Sequence, residues 1–213
     1  MLQNVSRITI QTTAIDTELE QELEPQMRLC LIADYHQMIE AGFLDEDDLV
    51  ELLEGKIVCM SPQRPFHTAS VQRSSRLLFQ LLSDRAEIRV HLPVILGNDS
   101  ELEPDLAVVR FDAHEYSFRH PEASDIYLLI EVADSTIAKD RKQKARIYAK
   151  NRVLEYGILD LQKRQVYVFR QPEENTYREE LILNSSDSIA MQAFPDVAIA
   201  LDAMFPIVEN LQS

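Results

Sequence analysis

Apolar positions recur at three- and four-residue steps from Leu29 through Ile32, Tyr35 and Ile39, and the run stops at Gly42. That spacing predicts a first helix with a glycine stop. The pattern then changes: "LVELLEGKIVCM" reads as two short strands turning at Glu54 and Gly55, since glycine supplies the positive φ that a tight hairpin demands. Pro62 and Pro65 punctuate the chain before a second helix, from about Phe66 to Ser83, with Val71, Leu78, Leu81 and Leu82 on one side. Val90, Leu92, Val94 and Leu96 alternate as a strand, with "GNDS" as its turn. The short apolar runs "LAVV" and "IYLLIEV" predict strands buried on both faces.

A further amphipathic helix is expected from about Thr136 to Lys150. After it, "LEYGILDL" and "QVYVFR" flank "QKR" as a hairpin, and "FPDVAIALDAMFP" is apolar enough to pack on the domain. Helices and strands mix around one sheet, which predicts an α/β or α+β domain. Residues 1–27 lack this patterning; they are polar and acidic and end near Pro25, which suggests a loosely held extension preceding a domain over 28–213.

Composition sharpens the class. Of 213 residues, 46% are hydrophobic, enough for a substantial core. No apolar run approaches the roughly 18 residues that a membrane span needs. The N-terminus has no basic region followed by an apolar block, so no signal peptide is expected. Cys30 and Cys59 lie in apolar contexts and read as reduced core residues. A cytoplasmic protein is the resulting expectation. The net charge of −15 weighs against passive binding of nucleic acid, which usually needs a basic face. An acidic enzyme acting on phosphates would need a divalent cation and a local basic patch.

Chemistry concentrates at strand ends. Asp105, after Pro104, opens one central strand, and Glu131 closes the next. Two hard oxygen donors at neighbouring strand ends suit Mg²⁺, which binds through one or two carboxylates and keeps several waters; unrelated acids facing water would give the same spacing. In the helix that follows, Asp140, Lys144 and Tyr148 are four apart and share a face. Lys144 could reach the sheet end, or simply pair with Asp140 for a few tenths of a kcal/mol.

The blocks "VELLEGKIVCMSP", His67 just beyond it, "EPDLAVV", "LLIEVADST", "DRKQKARIYAKNRVLEYGILD" and "FPDVAIALDAMF" occur in an order that resembles the Uma-two family of restriction-endonuclease-like proteins, a branch of the PD-(D/E)xK nuclease superfamily. The likeness runs from about Leu29 onward. The superfamily usually has a lysine two residues after the glutamate; that place is Ala133 here, and the branch carries the lysine in the following helix, which points to Lys144. Gly157 stands where relatives commonly have tryptophan.

The resemblance implies an α/β, restriction-endonuclease-like core, a central mixed β-sheet flanked by helices. It implies an endonuclease hydrolysing nucleic acid, DNA in the first place, with Mg²⁺ or Mn²⁺ as cofactor. Asp105, Glu131 and the Val132 carbonyl would hold the metal, and Lys144 would act on water or phosphate. Glu51 would be a third carboxylate or an orienting group, and otherwise an exposed hairpin acid. His67 would touch phosphate or orient water, and otherwise merely ends a helix. Ala133 and the acidic charge also fit a second reading, a catalytically inactive nuclease fold serving as an interaction or homodimerisation module.

Overall fold

The computed structural model describes residues 28–45 and 47–207. The acidic extension expected over 1–27 lies outside these residues.

The first helix, α1 (Ile32–Glu40), buries Tyr35 and gives way to Gly42 at φ +71°. The predicted hairpin follows as β1 (Val50–Leu53) and β2 (Lys56–Cys59), with positive φ at both Glu54 and Gly55. That pair of angles is the twist-matched two-residue turn. Gly55 is also pressed against the chain before α1: a Cβ there would stand 2.6 Å from Leu29 Cβ and 3.1 Å from the Cys30 carbonyl oxygen. Gly55→Ala is therefore expected to cost about 2 kcal/mol of stability, read as a lower urea midpoint with unchanged slope. A midpoint equal to wild type would show that the chain around Leu29 yields freely.

Helix α2 (Pro65–Leu82) begins on Pro65, whose missing N–H is harmless in a first turn. The core of the molecule is a six-stranded sheet in the order β10-β9-β8-β7-β6-β3. Its strands are β3 (Glu87–Val90), β6 (Leu106–Val109), β7 (Ile126–Ala133), β8 (Glu155–Asp160), β9 (Gln165–Glu173) and β10 (Thr176–Asn184). All neighbours are antiparallel except β7 and β8. The expected α/β fold with a mixed sheet flanked by helices is thus the observed one. A second sheet, in the order β2-β1-β5-β4, adds β4 (Val94–Leu96) and β5 (Ser100–Leu102), and β11 (Ser188–Met191) pairs with β12 (Phe194–Ala200).

Both faces of the central sheet are dry over β6, β7 and β8. Ala107, Val109, Leu129 and Ile158 pack towards the smaller sheet and the helical crossover between β7 and β8. Leu106, Val108, Ile130 and Val132 pack beneath α2 and the C-terminal strands, against Leu78, Leu82, Ile199 and Met204. Each such leucine buried is worth about 1.5–3 kcal/mol. This two-sided burial is why "LAVV" and "LLIEV" lack alternation.

Three sequence expectations need correction. Val90 to Leu96 is not one strand: His91 takes φ +49°, Pro93 follows, and the chain switches from the central sheet to the smaller one. Ser100, expected in the "GNDS" turn, instead opens strand β5, held between β4 and β1 by long-range pairing. Cys59 is exposed on β2 and Cys30 half-buried, so neither is a core residue, although both are free thiols as expected.

Candidate active site

Strand direction brings the first two acids together. β6 and β7 are antiparallel with Leu106 opposite Ile130, so the start of one strand meets the end of the other. Asp105 therefore stands beside Glu131 and Val132, and the Val132 N–H donates to Asp105 Oδ2 at 2.7 Å. The parallel pairing of β7 with β8 demands a crossover, and the crossover is helical. It starts as α3 (Ile137–Lys139), continues through a π-helical turn over Asp140–Lys144, and ends as α4 (Ala145–Lys150). It leaves directly from the end of β7, so its first turns overhang Glu131.

Lys144 Nζ donates to Glu131 Oε1 at 2.8 Å and lies 3.6 Å from Glu51 Oε2. The Tyr148 hydroxyl donates to the same Glu131 Oε1 at 2.7 Å. Asp140 is held by Thr136 Oγ1 at 2.6 Å rather than by the lysine, so it does not tether Lys144. The π turn explains the arrangement. Its wider ring leaves the Asp140 carbonyl to the Ala145 N–H and, at 3.3 Å, to the Tyr156 hydroxyl, and it offsets Lys144 from the regular helical stack.

Glu51 sits on β1, 2% exposed, and is no exposed hairpin acid. Lys139 Nζ donates to its Oε1 at 3.0 Å, while its Oε2 has no hydrogen-bond partner among the described residues. His67, in the first turns of α2, places Nε2 3.1 Å from Asp105. His91, at the kink between β3 and β4, places Nδ1 3.5 Å from the same carboxylate, with its ring stacked on that of His67. These groups line a cleft of about 390 Å³.

Burial dominates the electrostatics. It pushes the Glu131 carboxyl up to about 8, opposed by the Lys144 charge and reinforced by Asp105 and Asp140. Burial also works against the Lys144 charge, but Glu131 and Glu51 outweigh it and hold the ammonium above its ordinary range. The direction common to both is proton retention, as expected where acids outnumber bases. Glu103 and Asp140 are raised as well, in both cases chiefly by burial. For His91, burial lowers the imidazole against the pull of Asp105.

The donor set fits a hard divalent cation. Both hydrogen bonds to Glu131 end on Oε1, leaving Oε2 without a protein donor among the described residues. Within those residues no group of three or more His, Cys, Asp or Glu converges as a ready-made metal cage. A cation held by one or two carboxylates with the remaining places on water suits Mg²⁺ chemistry.

His91, Glu103 and Lys139 escaped the sequence reading. The alternation of Val90, Leu92 and Val94 ran straight through His91, and only Pro93 hinted at a break. Lys139 carried a weak signal, lying five residues before Lys144 on the same predicted helix.

Comparison with known proteins supplies the family context. The profile of the Uma2 family, described as "Putative restriction endonuclease", matches residues 32–202. A crystal structure from Anabaena variabilis, described as "a putative nuclease belonging to DUF820", superposes with a TM-score of 0.62 at 17% identity, covering 78% of this chain and 95% of that one. At that identity the likeness is one of fold. No curated protein matches the chain. No helix among the described residues is long and apolar enough to cross a membrane.

Proposed function

The chain belongs to the Uma2 family, and from that premise we propose that it is a metal-dependent endonuclease hydrolysing phosphodiester bonds of nucleic acid, DNA in the first place. The observation that carries the reading is the Asp105–Glu131 edge with one Glu131 oxygen left free of protein donors. Asp105, Glu131 and the Val132 carbonyl would hold Mg²⁺ or Mn²⁺. When bound, such an ion polarises a phosphate oxygen and lowers the pKa of a coordinated water.

The chain's own groups have separate tasks in this scheme. The Tyr148 hydroxyl and the Lys144 ammonium fix Glu131 through one oxygen, presenting the other to the cleft. Lys144 keeps a positive charge where negative charge grows on the phosphoryl oxygens as water attacks phosphorus and the P–O bond to the leaving oxygen breaks. His67 and the Val132 N–H orient Asp105. Glu51 orients Lys139 and, through its uncapped oxygen, faces Lys144.

The test is a cleavage assay on a panel of DNA and RNA substrates with Mg²⁺ and Mn²⁺, run beside Asp105→Ala. Cleavage by wild type that disappears in the variant is the expected outcome. Absence of cleavage across the panel, with the chain folded and dimeric, would replace this reading by the non-cleaving interaction module.

A further inference from the structure

Six acids line the cleft: Glu51, Glu103, Asp105, Glu131, Asp134 and Asp140. Against them stand three strong bases, Arg64, Lys139 and Lys144. Each of the three already faces an acid of the same cleft. Arg64 lies 3.8 Å from Asp134, Lys139 is bound to Glu51, and Lys144 is bound to Glu131. Only Arg64, 72% exposed in its side chain, is both at the mouth and loosely held. The rim repeats the sign: exposed Asp45, Asp47 and Asp48 directly precede Leu49, which lines the cleft. The Asp47 N–H donates to Asp45 Oδ1 and the Asp45 N–H to Asp48 Oδ2, so the Asp45 and Asp48 carboxylates are fixed in a turn.

This surface suits a continuous duplex poorly. Double-stranded DNA carries one charge per about 1.7 Å of axis, and proteins that hold it neutralise several phosphates at once. Phosphates flanking a seated one would run onto the acidic rim. A second property points the same way. Leu49, 57% exposed, stands with Met60 and Pro62 as an apolar wall in the otherwise polar cleft. Such a wall can cover the face of an unpaired base, which a duplex keeps stacked inside. The cleft's volume, about 390 Å³, is on the scale of a small-ligand pocket.

Resting on the hydrolase reading above, we infer that the substrate class is a short or terminal single-stranded polynucleotide. One phosphodiester sits between Arg64 and the Asp105–Glu131 edge, with a neighbouring base against Leu49, Met60 and Pro62. The acidic rim acts as a filter against duplex.

The test uses the full chain with Mn²⁺ or Mg²⁺ and three probes of matched sequence: single strands of about six nucleotides, a long single strand, and a long duplex. Each single strand is made as DNA and as RNA. The short strand and the ends of the long one are expected to be cut with kcat/KM about tenfold or more above the duplex. Binding of the short strand should show a shallow salt dependence, a log–log slope of about −0.7 to −1.4, corresponding to one or two phosphate contacts. Arg64→Ala should reduce that slope by about 0.7 and raise KM. D47N/D48N should narrow the preference by raising duplex cleavage. Duplex cut as fast as the short strand, in an Asp105-dependent manner, would overturn this inference while leaving the hydrolase reading standing. No Asp105-dependent cleavage of any probe would overturn both. Equal cutting of DNA and RNA would show that the site ignores the sugar, and a preference for either assigns the substrate within the class.

Discussion

A Lys144→Met chain is expected to lose about 3–5 kcal/mol of stability above about pH 8, where Glu131 is ionised, the usual cost of leaving a buried charge without its partner. Lys144 is 6% exposed and Glu131 5%, and the ammonium stands between Glu131 and Glu51. With the cation gone, Glu131 keeps, among the described residues, only the Tyr148 hydroxyl. The carboxyl can escape the cost by taking up a proton, so the loss should shrink as pH falls towards 6. The double variant Lys144→Met/Glu131→Gln should recover much of it, because the charge is removed with its partner. Urea unfolding of the four chains at two pH values measures the coupling. A single variant within about 0.5 kcal/mol of wild type at pH 9 would mean that Glu131 is already uncharged in the native protein.

On the proposed reading the same substitution also removes the positive charge that faces the reacting phosphate, so turnover should fall steeply. Lys144→Arg should restore stability better than turnover. A planar fork can pair with Glu131 but cannot set a compact charge at the same point. Wild-type turnover in Lys144→Met would remove the lysine from the chemistry and leave it a structural role only.

The second large effect is in the pH dependence of the metal-free protein. Glu131 is raised to about 8 in the folded chain from an ordinary value of 4.5. Between those values the folded state holds a proton that the unfolded state has released, so stability falls as pH rises through this window. The contribution is fully present below about 4.5 and gone above about 8. The slope per group cannot exceed about 1.4 kcal/mol per pH unit. Glu103, Asp140 and Glu155 are raised too, in each case chiefly by burial, and add in the same direction. Glu131→Gln should therefore flatten the profile between pH 5 and 8 without levelling it, as followed by unfolding in the presence of a chelator. An unchanged slope would place Glu131 in its ionised form throughout.

Much of the scaffold was legible from local pattern. Hairpin β1–β2 is fixed by Gly55 and its two apolar arms, the length of α2 by a three- and four-residue repeat, and β6 and β7 by runs too short and too apolar to be anything but doubly buried strands. In each case the signal lies within the element itself. Asp105, Glu131 and Lys144 were also marked in the sequence, through the ordered blocks that resemble the family.

What the sequence alone left open has a common cause: it depends on partners far away along the chain. β5 is a strand only because β1 and β4 supply its hydrogen bonds, 46 residues separating Glu54 from the Ser100 hydroxyl that it binds. The kink at His91 exists because the chain must leave β3 in the central sheet for β4 in the smaller one, and local alternation cannot report a change of sheet. The π turn at Asp140–Lys144 has no signature in "DRKQK"; the Tyr156 hydroxyl reaches across from β8 to the Asp140 carbonyl at its start. That turn, together with Tyr148, decides that Lys144 meets Glu131 rather than Asp140, and that the free carboxylate oxygen of Glu131 is Oε2. Residue types and their order set which groups were available. Antiparallel pairing of β6 with β7, and a crossover forced by the parallel step to β8, decided which of them meet, because strand direction is a property of the sheet and not of any one strand.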